Sequence, residues 1–151
     1  MVKEGEKAID FELEGSDGKK HSLSEFKGKF LVLYFYPKDN TPGCTIEANE
    51  FNNKLEEIRK LGAEVIGVSK DSIDSHCKFR DKHNLKFLLL SDPDSSVIKK
   101  YGAYGNRGIF GEGTLRNTCV IGKDGRIIKV FEKVSPKGHA EEVIKLLKAQ
   151  E

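Results

Sequence analysis

The chain has 151 residues, enough for a single domain spanning 1–151 with one sizeable core, and nothing in its length requires two. Its 26 lysines and arginines nearly balance 24 aspartates and glutamates, so no long-range field argues for nucleic acid or an anionic membrane as a partner. The start, MVKEGEKAIDFELEG, carries no apolar run of the signal-peptide kind, no later segment approaches the ~18 apolar residues of a membrane span, and a cytoplasmic protein is therefore expected.

From Ile9 to Leu23, Phe11 and Leu13 alternate with acids and Asp17-Gly18 supplies a turn before Lys19, the pattern of an N-terminal β-hairpin. Ser24 to Lys29 predicts one helical turn ending at Gly28. Phe30 to Tyr36 is apolar without alternation, as suits a strand buried on both faces, and Pro37 closes it. Thr41 as N-cap and Pro42 at the first position then predict a helix in which Ala48, Phe51, Leu55 and Ile58 share a face, with Gly62 as the stop. Cys44 falls in its first turn on that same face. Glu64 to Ser69 reads as a second buried strand, Ser72 as the cap of a helix running to about Asn84, Leu88 to Leu90 as a third strand, and Pro93 to Tyr101 as a short helix. A Gly-rich loop is expected over Gly102 to Gly113. Strands at Arg116 to Ile121 and Arg126 to Phe131 should pair antiparallel through Asp124-Gly125, and Ser135-Pro136 should open a last helix with Ala140, Val143, Ile144 and Leu147 inward. The order predicts an α/β fold of thioredoxin-like architecture, a mixed central sheet with helices on both faces.

Three cysteines, Cys44, Cys77 and Cys119, are odd in number and widely spaced, which fits neither a disulfide scaffold nor a paired zinc motif; they are expected as thiols of a reducing compartment. A thiol at a helix start meets free amide hydrogens and the helix dipole, and these with a nearby cation favour thiolate, the nucleophilic form. Cys44 sits in that position. The stretch PKDNTPGC, with Pro37, Thr41 and Cys44, reproduces the Pro-x-x-x-Thr-x-x-Cys signature of peroxiredoxins. Its flank YFYPKDNTPGCTIEA, the segment KFLLLSDPDSSVIKKYGAYG and Arg116 before KDGRI resemble the bacterioferritin-comigratory (PrxQ) branch over nearly the whole chain.

That resemblance implies a cofactor-free, metal-free thiol peroxidase acting on hydrogen peroxide and organic hydroperoxides. Cys44 would attack one peroxide oxygen and become a sulfenic acid. Thr41 would direct its hydroxyl at the peroxide, the amides of Gly43 and Cys44 would add donors, and Arg116 would touch thiolate and substrate, stabilising charge that grows as the O–O bond stretches. A thioredoxin-like protein or a small thiol would be the reductant, and the protein would be a monomer or a weak homodimer.

The sequence also departs from the branch. Many members carry a resolving cysteine five residues after the peroxidatic one, where this chain has Asn49. Cys77 is the remaining candidate, one turn before the position of Arg80 where some relatives carry theirs. It reads equally as a half-buried residue beside Ile73. If Cys77 resolves, the first turns of the Cys44 helix must unwind for the sulfurs to meet. Cys119, in TCVI, reads as core filler. GEGTLR has neither the third glycine of a dinucleotide motif nor a P-loop Gly-Lys. His76, Cys77 and His83 lack a paired ligand spacing and are expected on a solvated helix face, while His21 and His139 stand alone. Two rival readings remain: a thiol-disulfide oxidoreductase, against which the missing Cys-x-x-Cys counts, and a non-catalytic redox-sensing or binding module on the same fold.

Overall fold

The computed structural model describes residues 2–150. Its centre is β3 (Phe30–Phe35), whose side chains are buried on both faces from Leu31 onward, as its unbroken apolar sequence requires. Around it stand β1 (Glu12–Gly15), β2 (Lys20–Ser22), β4 (Ala63–Ser69), β5 (Leu88–Ser91), β8 (Thr118–Ile121) and β9 (Ile127–Phe131) in the order β2-β1-β5-β4-β3-β8-β9. The inner pairs β3–β4 and β4–β5 are parallel, and the outer pairs are antiparallel. The sheet is mixed, as expected, and the N-terminal hairpin adds to it through β1 against β5.

Alternation along β3 divides the core. Val32 and Tyr34 face α1 (Pro42–Asn53), α2 (Leu55–Lys60), α3 (Ile73–His83) and α5 (His139–Lys148), joining Phe51, Ile58, Phe79 and Val143. Leu31, Leu33 and Phe35 face the other way, toward α4 (Ser96–Lys100), the N-terminal segment and the 3₁₀ turn Leu23–Phe26, with Ile66, Leu90 and Ile98. Helices therefore cover both faces.

Several boundaries differ from the sequence expectation. The single helix expected from Pro42 to Gly62 is two, broken at Lys54 after two asparagines of weak helix propensity. Asn52 is tied outward instead: its amide donates to Asn84 O at 3.0 Å and its Oδ1 accepts from Lys86 N at 2.8 Å. The loop Gly102 to Gly113 contains a hairpin of its own, β6 (Tyr104–Asn106) with β7 (Glu112–Thr114). α4 starts at Ser96 rather than Pro93, with Asp92 Oδ2 accepting the Ile98 N–H at 2.8 Å. α5 starts at His139 behind Gly138 in the left-handed region, not at Ser135-Pro136. Val134 donates to Arg116 O at 2.9 Å and Pro136 reaches toward Gly43, so tertiary contacts claim the residues that looked like a helix start.

Candidate active site

The loop after β3 brings the chain to α1 through buried Pro37 and Asp39, with Asn40 in a left-handed turn at φ 62°. Thr41 occupies the cap position of α1 and Pro42 its first turn, but the Thr41 side chain does not cap. Its hydroxyl donates to Lys38 O at 2.8 Å, so what it retains for a ligand is its lone pairs. The first N–H bonded within the helix is that of Thr45, to Thr41 O at 2.9 Å. The N–H groups of Gly43 and Cys44 precede it and have no intrahelical acceptor, which leaves two donors beside the thiol.

Cys44 is 1 % exposed and packs among Tyr34, Tyr36, Ala48 and Phe51. The sequence places Arg116 72 positions away, and the fold brings it to the sulfur. It precedes β8 rather than lying in it, and its Nη2 donates to Cys44 Sγ at 3.5 Å. Its Nη1 donates to Glu47 Oε1 at 2.8 Å. One guanidinium thus bridges a thiol and a carboxylate. Burial disfavours its charge, but Cys44 and Glu47 together outweigh this and raise its pKa further. A Cβ on Gly43 would lie 2.9 Å from Arg116 Nη2 and 3.5 Å from Pro136 Cγ, so the guanidinium rests where only a hydrogen fits.

Glu47 is the residue of this cluster that the motif reading passed over. It is 1 % exposed, and burial pushes its carboxyl up to about 7 against the pull of Arg116. Its Oε2 and the hydroxyl of buried Tyr34 have no hydrogen-bond partner among the described residues. A signal was present: an acid three residues after Cys44 shares its helix face, and acids on a buried face are paired.

The structure does not bring Cys77 to Cys44. Cys77 is half-buried on α3, with Sγ donating to Ser16 O at 3.4 Å, and Ser16 is fastened to Leu89 of β5. Cys44 lies by the end of β3, and β5 and β4 stand in the sheet between β3 and the end of β1 where Ser16 sits. Disulfide bonding needs the sulfurs in contact, so this pair requires backbone movement. Cys119 lies on the opposite face of the sheet from Cys44, and burial pushes its thiol up to about 12, in keeping with core filler. His76 is not on a solvated face: it is fully buried and bonded to Asp39, because the face of α3 that meets the sheet includes it with Phe79. Asp39, Asp71 and His76 place ligand-type atoms within 4.8 Å of one another, all engaged in hydrogen bonds. Nor do His21 and His139 stand alone. His139 is buried between Phe51 and Phe131 with Nε2 at 2.7 Å from Thr118 Oγ1, and His21 bridges Asp17 and Glu25.

The chain that carries this arrangement is similar to known proteins over nearly its whole length. Residues 4–130 match the AhpC/TSA family model. The chain is 46 % identical over 147 residues to "Peroxiredoxin Bcp" of Bacillus subtilis, covering 95 % of this chain and 94 % of that one. It is 42 % identical over 149 residues to "Peroxiredoxin Q, chloroplastic" of Sedum lineare, covering 98 % of this chain and 79 % of that one. Among solved structures, a cysteine-to-serine mutant of Xylella fastidiosa PrxQ superposes with a TM-score of 0.96 at 37 % identity, over 99 % of this chain and 98 % of that one. The Xanthomonas campestris bacterioferritin comigratory protein, described for its alkyl peroxide reduction, superposes with a TM-score of 0.88 at 37 % identity, over 93 % and 91 %.

Proposed function

The chain belongs to the AhpC/TSA family, among its Bcp/PrxQ peroxiredoxins, and we infer that its thiol-dependent peroxidase activity runs through Cys44. The observation that carries this assignment is the 3.5 Å contact between Arg116 Nη2 and Cys44 Sγ beside the open amides of the first helical turn. The Cys44 thiolate attacks one oxygen of hydrogen peroxide or an organic hydroperoxide. A sulfur–oxygen bond forms, the O–O bond breaks, and the departing oxygen leaves as water or an alcohol once it takes a proton. Thr41 accepts a hydrogen bond from the peroxide through its free lone pairs. The Gly43 and Cys44 N–H groups and Arg116 stabilise the negative charge on the departing oxygen, and buried Pro37 fixes where the loop leaves the sheet.

A thiol then attacks the sulfenic acid, forming a disulfide and releasing water. Cys77 of α3 fills this role after the first turns of α1 unwind, or an external thiol does, and a thioredoxin-type protein returns the disulfide to thiols. The molecule acts as a monomer or weak homodimer in the cytoplasm. Cys44→Ser should abolish fast peroxide consumption in a single turnover, and retention of that phase would overturn the assignment. After one equivalent of peroxide, mass spectrometry of the wild type should yield a peptide pair linked through Cys44 and Cys77. A persistent sulfenic acid or a mixed disulfide would transfer resolution to the external thiol.

A further inference from the structure

One buried charged side chain stands in the loop that approaches Cys44. Asp39 is 5 % exposed, and both its oxygens are engaged: Oδ1 accepts from the Tyr36 hydroxyl at 2.6 Å, and Oδ2 accepts from Ser75 Oγ at 2.8 Å and lies 2.7 Å from His76 Nδ1. His76 Nε2 must carry a hydrogen, since its partner at 2.9 Å is the carbonyl of Leu90, which only accepts. Asp39 and His76 thus form one hydrogen-bonded unit that joins the loop to α3 and, through Leu90, to β5. The Asp39 N–H donates to Asp71 Oδ2 at 2.9 Å, and that oxygen also accepts from Ser69 at the end of β4. The loop before the thiol is thereby fastened to α3, β4 and β5 at once.

The chemistry makes two opposed demands on this loop. Attack on peroxide needs the first turn of α1 wound, so that its amides and Arg116 surround the sulfur. Attack by a thiol on the sulfenic acid needs the sulfur brought out, because Cys44 is 1 % exposed. Any unwinding that does this pulls on Asp39, five residues ahead, and the partner of Asp39 on α3 is the residue next to Cys77.

We propose that Asp39 and His76 are positioning residues that clasp the Cys44 loop to α3 and hold the centre in its peroxide-reactive form, and that release of this clasp exposes oxidised Cys44 to the resolving thiol. The proposal rests on the reading of Cys44 as the peroxidatic residue. Buried charge-assisted bonds with every partner satisfied are costly to break singly, so the clasp opens as a unit. In the resolving step the incoming sulfur bonds to Cys44 Sγ, the S–O bond breaks, and the oxygen leaves as water.

The test separates the two steps in Asp39→Asn, which keeps the shape and replaces one carboxylate oxygen with a donor nitrogen. Oxidation by hydrogen peroxide in stopped flow should slow by up to about 100-fold, the cost that a misplacement of about 1 Å in the reacting groups incurs. Reaction of the resulting sulfenic acid with dithiothreitol should accelerate several-fold, and less sulfinic acid should form at equal peroxide. Loosening of the whole fold would also expose the sulfur, so in Asp39→Asn hydrogen exchange should rise in segments 37–47 and 73–80 and not in β3; exchange that rises throughout, rates that fall together, or rates that both stay unchanged would overturn the clasp. Ser75→Ala removes one bond to the same carboxylate and should shift both rates in the same directions by less. Hydrogen exchange on the unaltered protein needs no peroxide and stays informative even if the peroxidatic assignment fails, which Cys44→Ser tests by itself. Segments 37–47 and 73–80 should open together; independent opening would refute the coupling.

Discussion

At Cys44 the guanidinium of Arg116 divides its donors between a sulfur and a carboxylate, so the charge on Glu47 sets how much of the cation the sulfur meets. Burial holds the Glu47 carboxyl at about 7 against an ordinary 4.5, so the folded chain keeps a proton that the unfolded chain gives up over that interval. Its contribution to stability is full below pH 4.5 and is lost as the pH rises through 7, by an amount of order 3 kcal/mol. Glu47→Gln keeps an acceptor for Arg116 and cannot ionise. Its denaturant midpoint should fall less between pH 5 and 8 than that of the wild type, since His21 and His139 still titrate there, and the inflection near pH 7 that Glu47 gives the oxidation rate should vanish. Arg116→Ala removes the cation itself and should slow oxidation by about 100-fold or more in stopped flow, the usual cost of losing a preorganised donor. An unchanged rate would remove Arg116 from the chemistry.

Among the elements, α1 is built to present its first turn, and Gly43 shows what that requires. Alanine stabilises a helix over glycine by about 1 kcal/mol, and Gly43 is not in the left-handed region, so the fold alone would favour alanine there. The added carbon would meet the end of a flexible side chain, which can move aside at little cost, but that end is Arg116 Nη2 at 2.9 Å. Gly43→Ala should therefore leave the thermal midpoint unchanged or higher while slowing oxidation about tenfold, a split that measurement of both quantities on one preparation decides. The same competition between local preference and tertiary use explains why Ser135-Pro136 did not start α5. Helix-start residues are common, whereas a segment able to cover Arg116 and Gly43 from the far end of the chain is not, and packing decided their conformation.

For the whole molecule, stability and site placement depend on the same strand. Leu33 is fully buried at the centre of β3, paired with Ile66 on one side and Cys119 on the other. Leu33→Ala should cost about 3–4 kcal/mol in equilibrium unfolding, through lost transfer energy and the cavity left behind. Because Cys44 and Arg116 reach each other only through the β3–β8 pairing, the oxidation rate should fall once the variant begins to unfold and not before.

The sequence by itself determined the central strands, the inward stripes of α1, α2 and α5, and the placement of Cys44 in a first helical turn. Each of these rests on local periodicity or capping chemistry that a few neighbouring residues express. It also made Arg116 a candidate, through a motif rather than through distance. Only the tertiary structure decided that Glu47 shares the guanidinium, that His76 is buried against Asp39, and that Cys77 faces Ser16 instead of Cys44. Those facts depend on which segments the sheet order sets side by side. Residues 37 and 69 apart in the chain become neighbours through pairings that no local pattern records.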